Sequence, residues 1–344
     1  MLRHLRLSSL LTVGYILFIV YASLSPFSGW QEQGITFGEV LRLPWRITYN
    51  LFDALVNFVC YIPLGILLGL VLRPHLPTLL TASLAILLSA ALSASMEYAQ
   101  MYLPVRTSSN VDMLTNTVGA ALGALLAVSI TAWTDWHFRL AAWRNHWFHP
   151  SDFGLALLCL WLFGQANPSL PMLGNLFIND VADQPFVATV SIPFNPLASL
   201  TVLLNLLMLG FLLFTLLRHA PHILRSLSAV LGGLALIKFI IASVLLKSSA
   251  LLLWINAEVV LGMTVGMILL RLVVHLPRAW LHFCGVATTL GYFILVNLTS
   301  NSPSLGASIY HWNSGHLRNY NGLAQTIAHI FPLLLLLHLA RTRN

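Results

Sequence analysis

The chain has 344 residues, of which 58% are hydrophobic and only 8% charged, against roughly 25% charged in an ordinary soluble domain. So few charges cannot coat a soluble fold, and the basic residues behind the net charge of +7 fall singly or in pairs between apolar runs, not in the basic stripe that nucleic acid requires. Cys60, Cys159 and Cys284 lie in or beside apolar runs with no partner at ligand spacing, which argues against a disulfide framework or a thiolate metal site.

Apolar runs near the ~20 residues that cross roughly 30 Å of hydrocarbon predict ten transmembrane helices, over 8–25, 54–72, 78–96, 114–133, 153–166, 197–217, 224–246, 250–270, 279–297 and 323–340. The fifth is the shortest. Arg3 and Arg6 before the first run imitate a secretory signal, but the same pattern recurs inside the chain, so the run is read as a helix. Prolines within several runs are compatible with helix, because in lipid the backbone must satisfy itself within the segment. The lysine and arginine bias of the short loops places the N-terminus in the cytoplasm, with Arg73, Arg139, Arg144, Arg218, Arg271 and Arg278 on that side. An even helix number returns the C-terminus there. The expectation is a multi-pass protein of a bacterial-type inner (cytoplasmic) membrane, with the lipid bilayer as its partner and its long connections, 27–52, 168–196 and 298–322, on the extracytoplasmic face.

Compared with itself, the chain shows matches at nearly constant offset. Leu64-Gly65 and Arg73 answer to Leu209-Gly210 and Arg218; Arg106 and Ser108 to Lys247 and Ser249; Gly119 and Gly123 to Gly262 and Gly266. The fold expected is an all-α transmembrane bundle with a parallel 4+4+2 internal repeat. Residues 1–135 form its first four-helix domain, 150–275 a degenerate second copy and 279–344 a two-helix half copy.

An ionisable residue in a membrane helix costs roughly 2.5 to 3.5 kcal/mol on insertion scales, so each one needs a reason. The first copy gathers such residues at its extracytoplasmic end. Asp53 and Asn57 share a face of the second helix, Glu97 and Gln100 end the third, and Arg106, Ser108, Ser109, Asp112 and Asn116 complete the loop and first turn of the fourth. An acid pair, a guanidinium able to grip an anion in bidentate fashion and several amides suit an anionic or polyhydroxylated headgroup. A structural alternative stands beside this one: Ser109 and Asp112 fit a capping box, and Glu97 with Arg106 an ion pair. Lys238 is the other buried charge. It matches Glu97 in the repeat, which suggests that the two pair across a pseudo-twofold, whereas snorkelling to an interface is the simpler alternative. Ile255 and Val259 stand where the first copy has Asp112 and Asn116, so the second copy keeps the scaffold without the site. His311, His316 and His329 have no common ligand spacing. No metal or cofactor is expected, and the aromatic stretch Trp312–His316 reads as an interface segment.

Asp53-Ala-Leu-Val-Asn57, Pro63-Leu-Gly65, Glu97-Tyr-Ala-Gln100, Pro104-Val-Arg106 and Asp112 with Asn116 and Gly119 together resemble the VanZ family over about residues 10–130. That family is named for a membrane protein of a glycopeptide-resistance cluster, linked to teicoplanin. The resemblance implies a cell-envelope role, with Glu97, Gln100, Arg106, Asp112 and Asn116 at the family's polar motif. It implies no reaction, and the six further helices depart from the single-domain pattern. The function expected first is binding of a lipid-linked or glycan headgroup, or a glycopeptide, without catalysis. A transporter or flippase of a lipid-linked or small anionic substrate is the second reading. A membrane-embedded transferase or hydrolase, with Glu97 or Asp112 as general base, is the third.

Overall fold

A computed structural model describes residues 7–44, 51–132, 134–175, 194–218, 223–245, 251–299 and 314–342. Arg3, Arg6, Lys247, Ser249 and His311–Asn313, singled out above, lie outside the described residues. In chain order the helices are α1 (Leu7–Leu24), α2 (Phe37–Leu41), α3 (Leu51–Leu72), α4 (Thr78–Gln100), α5 (Asn110–Ala132), α6 (Thr134–Trp147), α7 (Asp152–Gln165), α8 (Pro196–Leu216), α9 (Ile223–Leu245), α10 (Ala257–Val273), α11 (Arg278–Thr299) and α12 (Ser314–Thr342). The chain is all-helical, and eight of these helices are long and apolar enough to cross a membrane.

One of the ten expected spans, α10, comes out shorter, and another, α7, is as short as expected. α7 has 14 residues, about 21 Å at 1.5 Å per residue, which falls short of roughly 30 Å of hydrocarbon. α10 starts at Ala257 instead of near 250, because Asn256 stops it: its side chain accepts from the Val259 amide as an N-cap, and 251–254 forms a turn. Apolarity alone does not reveal where such a cap cuts a run.

The chain divides into two compact units, Met1–Arg144 and Asn145–Asn344. In the first, α3 and α5 make the most intimate pair. They run parallel, since Gly119 meets the Phe58 carbonyl and Gly123 the Ile62 carbonyl one turn further on. Small residues let the backbones approach, which is how membrane helices associate when lipid is as apolar as leucine. Ile19, Tyr61, Leu64, Leu68, Ala85, Ala120 and Ala124 fill the core. Val13, Leu17, Leu87, Val118 and Leu125 stay exposed, as a lipid-facing surface requires. Pro63 inside α3 leaves the Val59 carbonyl without its helical donor. The Tyr15 hydroxyl donates to the neighbouring Cys60 carbonyl at 2.7 Å.

In the second unit α8 is the central helix, buried along most of its length, with α10, α11, α7 and α9 packed on it. Gly262 and Gly266 of α10 face Val202 and Leu206 of α8. α12 packs on α7 and α11, so the last two helices belong to this unit.

Candidate functional site

The parallel course of α3 and α5 brings both N-termini to the end of the first unit where α1 and α4 terminate. The partial positive charge of two helix N-termini favours acids there, and Asp53 and Asp112 sit in the two first turns. On α4 a stripe at four-residue spacing, Thr81, Ala85, Ser89, Ser93 and Glu97, faces inward and is buried. Glu97 ends this stripe with only 4% of its surface exposed.

The Glu97 carboxylate accepts from the Ser109 amide through Oε2 at 2.8 Å, and the Ser108 hydroxyl donates to the Glu97 carbonyl at 2.7 Å. Ser109 caps α5, its Oγ accepting from the Val111 and Asp112 amides. The expected capping box is therefore changed in one half. Its reciprocal bond, to the Ser109 amide, comes from Glu97 on α4 and not from Asp112, so Asp112 is not needed for that task. Glu97 Oε1 has no hydrogen-bond partner among the described residues. Asp112 lies within electrostatic reach of Glu97.

Below Glu97, Asn116 is 5% exposed and donates from Nδ2 to Ser93 Oγ at 2.9 Å. Its Oδ1 is buried without a partner among the described residues. Tyr61 engages the Ser93 hydroxyl, linking α3, α4 and α5 by polar contacts. Asn57 is half-buried.

Two expected site residues have a different occupation. Arg106 donates from Nε and Nη2 to the Ser25 carbonyl, at 3.2 and 2.8 Å, and from Nη2 to the Ala22 carbonyl at 3.0 Å. Gln100 donates to the Ser23 carbonyl at 3.0 Å. These are the carbonyls that the end of α1 leaves without helical donors. The Glu97–Arg106 ion pair expected from the sequence is thus replaced by two separate tasks: Arg106 secures α1, and Glu97 caps α5. Partial burial lowers the Arg106 guanidinium from the ordinary arginine range, and it stays charged at any physiological pH.

A lid of connecting chain covers this end. Gln33 donates to the Met101 carbonyl and the Gln31 amide to Tyr102, while Asn110 Nδ2 donates to the Leu43 carbonyl at 2.6 Å. Within the lid, α2 is closed by a capping box of Thr36 and Glu39. Hydrogen bonds from the Thr36 amide and hydroxyl hold the Glu39 carboxyl below its usual range.

Ser93, Tyr61 and Asn110 were not among the residues expected at the site. The four-residue recurrence of small and polar positions on α4 is the signal that points to Ser93. Asn110 carries none, since its acceptors are main-chain carbonyls.

Residues 9–132 match the VanZ/LLP1 family model. The match takes in α1 to α5 and ends before α6, so it contains every residue of this polar end. No curated protein and no solved structure matches the chain. The VanZ-like segment and the apolar helices make this a multi-pass membrane protein of the cell envelope, embedded in a lipid bilayer.

Lys238 of α9 lies outside the VanZ-like segment and is fully buried. Its Nζ donates to the Gln165 carbonyl at 2.9 Å and to the Asn167 carbonyl. Lys238 thus finds hydrogen-bond partners inside its own unit. Burial of the whole side chain also leaves no room for snorkelling.

Proposed function

We propose that the polar end of the VanZ-like segment binds the glycan headgroup of a lipid-linked envelope precursor at the extracytoplasmic face, without catalysing a reaction. The observation that carries this reading is the Glu97 carboxyl, which gives one oxygen to the Ser109 amide and leaves Oε1 without a hydrogen-bond partner among the described residues. With Arg106 committed to α1, the side chains at this end are mostly acceptors. Acceptors suit sugar hydroxyls, whereas a phosphate needs donors. Asp53, Asn57 and Asn116 extend the same polar end along α3 and α5.

The topology read from the basic residues, with both termini cytoplasmic, puts this end on the outer side. Reporter fusions at either terminus check that placement. The glycines Gly262 and Gly266, matched to Gly119 and Gly123, pack α10 on α8 as their counterparts pack α5 on α3, which supports reading the second unit as a copy of the first.

Glu97→Gln keeps an oxygen for the Ser109 amide and removes the carboxyl group; Asp112→Asn removes the second carboxyl group. Titrating the full-length protein in nanodiscs with a polyprenyl-linked disaccharide, read by native mass spectrometry, is expected to show each variant binding at least ten-fold more weakly at unchanged thermal stability. A hydrogen bond to a charged acceptor is worth about 1.5 to 3 kcal/mol. Equal binding by wild type and both variants would remove the carboxylates from the site and reduce them to capping groups.

A further inference from the structure

A second polar cluster lies in the other unit, wholly outside the VanZ-like segment. α7 ends at Gln165, and the chain from Ala166 to Leu173 continues without regular helix while remaining almost entirely buried. Non-helical backbone at membrane depth is tolerated only where protein buries it or where it lines a polar cavity. The segment is pinned by Asn205, which donates to the Leu173 carbonyl and accepts from Trp161, and by the Met172 amide, which donates to Trp254.

Its polar groups gather around Asn167. That residue donates to Asn321 Oδ1 at 2.8 Å and accepts from the Ser169 amide at 2.8 Å, while its carbonyl takes the Lys238 ammonium. Three further atoms of the cluster are buried without a hydrogen-bond partner among the described residues: Gln165 Oε1, Ser169 Oγ and Asn321 Nδ2. Their residues are 7%, 8% and 6% exposed. Leaving three such groups unpaired costs about 1 to 3 kcal/mol each, a cost that a bound polar ligand would relieve.

The chemistry left over is specific. The ammonium has three N–H groups and uses two on carbonyls. Its third, the Asn321 amide and the Ser169 hydroxyl are donors, Gln165 Oε1 is an acceptor, and Lys238 is the cluster's ionisable side chain. We propose that this cluster is a binding site for a small singly charged oxyanion that keeps one hydroxyl, such as bicarbonate or dihydrogen phosphate. The anion's charge meets Lys238, its oxygens take the Asn321 and Ser169 donors, and its hydroxyl donates to Gln165 Oε1. The carbonyl end of α7 orients the ammonium and does not neutralise it fully, because a helix terminus carries only about half a charge.

The test is thermal unfolding of the purified full-length protein at constant ionic strength and pH, titrated separately with bicarbonate, phosphate, acetate and chloride. A ligand that binds only the folded state raises the midpoint with its concentration and yields an apparent Kd. Saturable stabilisation by bicarbonate or phosphate, with acetate weaker for want of the hydroxyl and chloride weakest, is the expected result; which of the two is tighter names the source. Asn321→Ala and Ser169→Ala, which keep the charge, are expected to weaken binding about ten-fold each, and Lys238→Met to abolish it. Should Lys238→Met not fold, the two neutral variants decide alone. Equal shifts by all four salts, or binding unchanged in both neutral variants, overturns the site. Glu97→Gln leaves this binding untouched, so the outcome is independent of the headgroup reading.

Discussion

Gly123→Leu is expected to yield no folded protein, and Gly123→Ala to lower stability by about 3 kcal/mol, at or above the upper end of ordinary overpacking costs. A Cβ at this position would lie 2.1 Å from the Ile62 carbonyl oxygen and 3.0 Å from the Ile66 amide nitrogen. Both are main-chain atoms, which cannot rotate away as a side chain can. Gly65 and Gly119 stand in the same relation, with backbone oxygens at 2.0 and 2.1 Å, so the α3–α5 contact is clamped from both sides. Moving the two helices apart relieves every one of these clashes together. The double variant Gly65→Ala/Gly123→Ala should therefore cost less than the sum of its parts. Gly14→Ala on α1 is the control, since nothing lies within 4 Å of its added carbon and alanine is the better helix former. Thermal unfolding of the purified protein and its monodispersity in detergent check all four. A stable, monodisperse Gly123→Leu protein would show that α3 and α5 do not pack at this distance.

Arg106→Ala is expected to destabilise the first unit by about 2 kcal/mol, and Gln100→Ala by about 1 kcal/mol. Arg106 makes three hydrogen bonds to two carbonyls at the end of α1, and Gln100 one to a third. The figure for Arg106 is reduced from the full value of three charge-assisted bonds because the side chain is only half-buried and water replaces part of what is lost. Lysine does not restore it. A single ammonium on a flexible stem cannot serve the Ala22 and Ser25 carbonyls as the planar guanidinium does. The loss should be visible as a lower unfolding midpoint and as faster proteolysis of the 25–36 connection. It separates Arg106 from Glu97: the first variant weakens the scaffold, whereas Glu97→Gln weakens binding at constant stability. A fully stable Arg106→Ala that loses headgroup binding would return the guanidinium to the ligand site.

The two short spans show where sequence reading reaches its limit. The run at 250–270 is apolar on average, yet Asn256 caps a helix within it, and Asn256, Glu258 and Thr264 barely change an average over the whole run. The run at 153–166 does read as short, and α7 is short. What the run does not reveal is that the following residues, through Pro168 and Pro171, are packed inside the unit.

The polar end was legible as a set and not as a division of labour. Glu97, Gln100, Arg106, Asp112 and Asn116 are conspicuous because charged and amide groups are rare in this chain. Opposite charges nine residues apart suggest an ion pair, but the guanidinium is taken by carbonyls of α1 and the carboxylate by an amide of the α4–α5 loop. Lys238 likewise donates to main-chain carbonyls, those of Gln165 and Asn167.

Hydrophobicity is a property each residue carries with it. The sequence by itself therefore determined the membrane class, the helical fold, the approximate position of the spans and the likeness to VanZ. Tertiary structure alone decided which buried polar group is satisfied by which partner. Those partners are mostly main-chain carbonyls and amides, which every residue offers alike, and only the packing of particular helices selects among them.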